Sequence, residues 1–255
     1  MNRNYQYLID LVLVLTYKDL KVRYKNSILG YFWSIANPLA FAIVFFVAFK
    51  IIMKIDMENY ALFLIMGLFP WQWISNSLGI APSVFLSNAS IIKKVNFPRN
   101  ILPLTIVLQD MIHYILSIPV IVLFMIFENK PCHFSWLYGI PLLLLVQLIF
   151  IYGITLILSS INLFFRDMER LVTIGLVFSF YFTPIIYPVV MIPANYQYLI
   201  KFNPFAPLII SWRNLFMHGQ LNWFYTLTSL GYSIVALVIG LLVYKKLSGI
   251  FAEVV

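Results

Sequence analysis

Residues 131–165, PCHFSWLYGIPLLLLVQLIFIYGITLILSSINLFF, contain no Asp, Glu, Lys or Arg. About 20 apolar residues in a helix cross the ~30 Å of hydrocarbon in a bilayer, so this run is long enough by itself. It is much longer than the ~10-residue alternating strands of a membrane barrel. Backbone groups in hydrocarbon must satisfy one another, which leaves helices or a closed barrel, and the length of the run selects helices. The whole chain agrees: 62% of its 255 residues are hydrophobic and 10% charged, against roughly 25% charged in soluble domains. The fold class is all-α integral membrane.

Further charge-free runs cover 26–49, 59–92, 171–200 and 214–244, and 101–127 carries only Asp110 and His113. Trimmed at their loops, these predict six transmembrane helices at 31–53, 61–87, 103–127, 137–162, 171–189 and 224–245, within one domain spanning 1–255. Six spans put both termini on one side. That side would hold Arg3, Lys18, Lys21, Arg23, Lys25, Lys93, Lys94, Arg99, Arg166, Arg170, Lys245 and Lys246, twelve of the 17 Lys and Arg residues. Lys50, Lys54, Lys130, Lys201 and Arg213 would lie opposite. The excess assigns both termini to the cytoplasm.

Net charge is +8. The charges sit in short clusters between apolar runs and form no long basic face, which favours a membrane over nucleic acid. The single cysteine, Cys132, excludes an intrachain disulfide or a cysteine-based metal site. Near the N-terminus the apolar stretch is short, broken by Asp10 and followed by no small-residue cleavage site, unlike a signal peptide. Residues 4–22 instead predict an interfacial helix, with Tyr5, Leu8, Ile9, Val12 and Leu15 on one face and Asn4, Asp10, Lys18 and Lys21 elsewhere.

Pro103 and Pro141 fall in first helical turns, while Pro70, Pro82 and Pro119 predict kinks. The stretch 184–219 is too polar for lipid and too apolar for a free loop. Non-helical backbone at membrane depth survives only inside protein or along a wet cavity. Two short helices, 194–201 and 205–217, are therefore expected to dip in from the outer face.

No G-x-x-x-x-G-K-[S/T] phosphate loop, His-Glu-x-x-His or G-x-S-x-G occurs, so nothing points to an enzyme or to a bound cofactor or metal. The loop at 90–100 sets Ile91, Ile92 and Val95 beside Lys93, Lys94 and Arg99, a compact amphipathic turn closed by Pro98. It reads equally as a positive-inside anchor or as a docking knob for a soluble partner.

At this loop the sequence resembles the permease subunits of type-2 ABC exporters, in the O-antigen, capsule and teichoic-acid group, with the O-antigen permeases most similar. The resemblance covers nearly the whole chain. It runs through Lys18–Lys25, Ser27–Trp33, Asn37-Pro38-Leu39, Gly67-Leu68-Phe69-Pro70-Trp71, Lys93–Arg99 with Ile101-Leu102-Pro103, Asn162–Asp167, Thr183–Pro188 and Asn203-Pro204. Where that family usually has an acid after Phe-Pro-Arg, this chain has Asn100.

The resemblance implies a homodimeric channel in a bacterial inner membrane, with two copies of a separate ATPase that bind ATP and Mg. It further implies a coupling helix at 91–100 (Ile91, Ile92, Lys93, Lys94, Val95, Asn96, Phe97, Pro98, Arg99). The N-terminal helix would also touch the ATPase. An outer gate would involve Tyr187, Asn203, Pro204 and Arg213. The cargo would be a polysaccharide on undecaprenyl pyrophosphate.

Several residues have two readings. Phe41, Phe45 and Phe49 fall at i, i+4, i+8, and Phe178, Tyr181 and Phe182 cluster on span five; they pack or face lipid, or they line a conduit along which sugar rings slide. Trp33, Trp71, Trp73, Trp136 and Trp223 read as interfacial anchors. Asp110 and His113, one turn apart, read as a structural hydrogen bond, a polar wall or a proton relay. Arg23, Lys25, Lys93, Lys94 and Arg166 are either topology charges or the cations that meet the pyrophosphate. Arg166-Asp167 with Glu169-Arg170 predicts a local ion-pair cluster. Capsule, teichoic-acid, small-lipid or drug export, a proton-coupled carrier and an intramembrane enzyme are the competing functions.

Overall fold

The structure, a computed structural model, describes residues 3–23, 30–54, 57–95 and 97–251. Eleven α-helices and no strand form among them: α1 (Arg3–Arg23), α2 (Trp33–Phe45), α3 (Tyr60–Ile80), α4 (Val84–Ser87), α5 (Ala89–Lys94), α6 (Ile101–Phe127), α7 (Trp136–Asn162), α8 (Met168–Phe182), α9 (Leu199–Phe202), α10 (Ala206–His218) and α11 (Trp223–Leu247). Among the described residues, four helical stretches are long and apolar enough to cross a membrane: Ile35–Ile52, α6, α7 and α11. The first of these is α2 continued by a π-helical segment, Phe46–Ile52.

The second and fifth expected spans differ from that standard for separate reasons. α3 has 21 residues, but Gln72, Ser75, Asn76 and Ser77 make its second half polar. It is buried on almost every side by its neighbours, with Leu62, Leu64, Met66 and Ile74 fully covered. The fifth span, expected to be helical over 171–189, stops at Phe182. Pro184 disfavours helical geometry at the residue before it, and Thr183 is extended at φ −92°, ψ 137°. Fifteen residues of α8 rise only about 22 Å, less than a bilayer core.

α3 is the hub of the main core, with Tyr114, Leu143, Phe150, Trp212 and Phe216 around it. The expectation that Trp71 and Trp73 anchor at an interface is therefore wrong. Both lie inside the bundle, and the Trp73 indole donates to the Val107 carbonyl at 3.1 Å. Trp33 and Trp223 are exposed. Buried polar side chains tie helices together: Gln147 donates to the Pro70 carbonyl at 2.9 Å and accepts from the Trp212 indole at 2.6 Å.

α7 and α11 approach closely enough that a methyl on Gly153 or Gly240 would strike the other helix's backbone. Small residues permit such contact between apolar helices where no hydrophobic drive favours it.

A second core cluster gathers Leu15 of α1 with Val84, Phe85, Ile92, Phe97, Ile101 and Phe251. The single apolar face expected of α1 splits here. Leu8, Val12 and Leu15 turn toward the bundle, whereas Ile9 joins Leu13, Val14 and Tyr17 in pointing outward. Tyr5 lies among residues whose side chains are outside the description.

Candidate functional site

The basic turn is built from its own burial pattern. α5 is followed by Val95 in extended backbone, and Ile92 and Phe97 both insert into the second core cluster, with Ile91 packed against it. Lys93, Lys94, Val95 and Pro98 consequently face outward, with Arg99 half-buried. Nine residues were expected to act together; Ile91, Ile92 and Phe97 hold the turn, and Lys93 and Lys94 stand on its outside. Asn96 lies outside the described residues. Asn100, where an acid was expected by resemblance, makes neutral bonds: its N–H donates to the Tyr244 hydroxyl at 3.1 Å, and the Tyr152 hydroxyl donates to its carbonyl at 3.3 Å.

The residues expected at an outer gate converge on the broken backbone after α8. Arg213 of α10 donates from Nη1 to the Pro184 carbonyl at 2.9 Å and from Nη2 to the Ile185 carbonyl at 3.0 Å. The Tyr60 hydroxyl donates to the next carbonyl, Ile186, at 2.7 Å. Asn203 donates to the Phe182 carbonyl at 3.2 Å and to the Thr183 hydroxyl at 3.0 Å, while its Oδ1 accepts from the N–H groups of Phe205 and Ala206. Tyr187 turns back to donate to the Tyr181 carbonyl at 2.8 Å.

These side chains replace the helical bonds that Pro184 interrupts, which apolar surroundings require. Arg213 is 7% exposed, its Nε has no partner among the described residues, and its guanidinium lies over Phe63. Gly67 leaves room for it, since a methyl there would come within 2.7 Å of Nη2. Sequence reasoning missed Tyr60, Phe63 and Gly67 as parts of this site, because nothing in linear spacing connects them to residue 213. Pro204 lies in the groove described next, and Gly219 closes α10 in the left-handed region at φ 62°.

The six aromatics expected along a conduit do not form one row. Phe178 and Phe182 line a groove of about 740 Å³ together with Tyr187, Tyr196, Phe202 and Phe205. Phe41, Phe45 and Tyr181 line a separate groove of about 380 Å³, along with Trp71, Gln72 and Phe180. Phe49 reaches neither, packing against Phe45 and edge-on to Tyr60. Phe180 is the residue that sequence spacing overlooked: its ring stacks on Phe45 at 5.6 Å and touches Trp71 at 5.9 Å.

Asp110 and His113 are buried in the bundle, and Asp110 accepts from the Ser77 hydroxyl at 2.8 Å. Arg166 is exposed, whereas Lys25 and the side chain of Arg23 are outside the description. Among the described residues no ion pair joins Arg166, Asp167, Glu169 and Arg170, although Lys18 and Asp19 of α1 pair at 3.0 Å. Exposed pairs gain about 0–1 kcal/mol, too little to hold four mobile side chains together.

The family described as ABC-2 type transporter matches residues 10–217. A protein of Klebsiella pneumoniae named O-antigen export system permease protein RfbA is 47% identical over 100% of this chain and 98% of its own length. A protein of the same name from Myxococcus xanthus is 32% identical over 85% of this chain and 84% of its own. The Escherichia coli polysialic acid transport protein KpsM is 25% identical over 89% of the chain and 90% of its own length.

Proposed function

Since the chain belongs to the ABC-2 type transporter family, we propose that it is the membrane permease of an O-antigen export system. The end-to-end match to the Klebsiella permease carries this reading. In this reading two copies form the channel in the bacterial inner membrane, with six spans each and both termini in the cytoplasm. The chain is not itself the enzyme. ATP and Mg belong to a separate ATPase, two copies of which dock on the exposed Lys93-Lys94 turn. The cargo is a polysaccharide on undecaprenyl pyrophosphate, whose phosphates meet Arg23, Lys25 and Arg166 at the inner leaflet. Capsular polysaccharide is the second candidate cargo, favoured only by the weaker likeness to the polysialic acid transporter.

Two features of the chain support the mechanism. The exposed cations of the turn are mounted on buried Ile92 and Phe97, so force applied at the lysines reaches the bundle through packed side chains. At the opposite functional element, Asn203 and Arg213 hold a helix break that is already unwound. Such a break can change shape by exchanging a few hydrogen bonds, without melting a whole helix. The aromatic groove beside it offers flat apolar faces to sugar rings.

The test is a strain lacking the chain, complemented or not. Complemented cells are expected to display surface O-antigen, and uncomplemented cells to hold lipid-linked polymer at the inner membrane. Purification from membranes should bring an ATPase with the chain. Surface polymer in uncomplemented cells would refute the cargo, and export by the purified chain with no ATPase would refute the energy source.

A further inference from the structure

Asn100 connects the basic turn to α6 and is bonded to two other helices at once. Besides the backbone bonds to Tyr244 and Tyr152, its side-chain amide donates to the Tyr152 hydroxyl at 3.4 Å. Tyr152 belongs to α7 and Tyr244 to the last turns of α11. One residue along from Tyr152 is Gly153, where α7 meets α11 backbone to backbone against Ala236 and Gly240. Higher on the same seam the Ser233 hydroxyl donates to the Val146 carbonyl at 2.9 Å. Beyond α11 the chain returns, and the fully buried Phe251 sets its ring 5.0 Å from Phe85 and 5.8 Å from Tyr244. The segment from 84 to 100 is thus held at its far end by α7 and α11 and at its near end by Phe251, four residues beyond α11.

The geometry points to the α7–α11 pair as the lever that the turn drives, with Asn100, Tyr152 and Tyr244 as positioning residues of the joint. This rests on the docking role proposed above for the turn. A displacement passes only through contacts that do not yield, and rigid packed elements carry it. Backbone contact at Gly153 and Gly240 makes two helices move as one body, and the bonds at Asn100 connect that body to the turn. The tie from α1, Lys18 to Asn88 at 3.5 Å, is made by a flexible side chain and would transmit little, whereas the buried Asn162 of α7 donates to the Pro82 carbonyl at 2.8 Å.

The experiment uses the chain purified as its full complex with the ATPase, carrying Tyr152→Phe, Tyr244→Phe or both. The readout is ATP hydrolysed per polymer exported. A merely structural role lowers both quantities together and leaves their ratio unchanged. Tyr244→Phe, which removes one bond, is expected to raise the ratio about fivefold, the worth of one net hydrogen bond. Tyr152→Phe, which removes two, is expected to raise it at least as much and the double variant further, with the retained ATPase unchanged. An unaltered ratio with ATPase still bound overturns the joint alone. If the double variant does not accumulate, the two single variants decide on the same ratio. Export by the unmodified chain without ATPase would overturn the docking role and the joint with it.

Discussion

The guanidinium carbon of Arg213 lies 3.5 Å from the ring centre of Phe63. This contact joins α10 to the start of α3 while the same guanidinium bonds the carbonyls of Pro184 and Ile185. Its planar fork matches two successive carbonyls, which an ammonium cannot do. Charge-assisted hydrogen bonds contribute about 1.5–3 kcal/mol each, so Arg213→Lys is expected to lower the thermal midpoint in detergent by roughly 5 °C or more. An unchanged midpoint would show that the helix break does not depend on the fork.

Charge reversal at Lys93 and Lys94 should separate docking from folding. Both side chains are exposed, and surface changes of this kind usually stay within about 0.5 kcal/mol. Lys93→Glu with Lys94→Glu is expected to abolish ATPase co-purification at unchanged thermal stability. Ile92→Ala should act differently, loosening the turn by roughly 2–5 kcal/mol as a buried truncation does. Retention of ATPase by the double Glu variant would rule out the lysines as its contact.

The seam between α7 and α11 has no spare volume at Gly240. Gly240→Val is expected to lower stability by at least about 1–3 kcal/mol, the usual cost of overpacking, seen as reduced yield of folded protein in gel filtration. Gly175→Ala is the control, because a methyl there meets nothing within 4 Å, and it should leave yield unchanged.

Phe178 and Phe182 border the larger groove, with rings stacked 6.5 Å apart and mostly uncovered by the rest of the chain. Removing them empties little of the core. Phe178→Ala with Phe182→Ala is expected to cut export severalfold while ATPase assembly is maintained. Normal export from that variant would end their assignment to the conduit.

Asp110→Asn keeps an oxygen for the Ser77 hydroxyl that Asp110 now accepts at 2.8 Å. ATP-driven export is expected to continue in this variant, and to be insensitive to collapse of the proton gradient. Export that stops when the gradient is collapsed at constant ATP would favour a proton-coupled carrier.

The long apolar runs that become α6, α7 and α11 are visible in sequence because hydrocarbon demands length and apolarity, and both are properties of a single segment. The basic turn is visible for a similar reason: a short amphipathic loop between two such runs has a pattern of its own. The break after α8 is half visible. Pro184 announces that the helix cannot continue, yet a count of apolar residues carried the expected span on to residue 189.

Pairing between segments was decided only by the tertiary structure. Hydropathy treats Trp71 and Trp73 as candidates for an interface, and only the placement of α3 at the centre puts them in the core. Arg213 over Phe63, Gly153 against Gly240, and Asn100 between Tyr152 and Tyr244 each join residues from distant helices. Every apolar helix satisfies lipid equally well, so composition does not say which helices are neighbours. Small residues, proline-freed carbonyls and buried polar groups make that choice, through contacts that exist only once the helices are side by side.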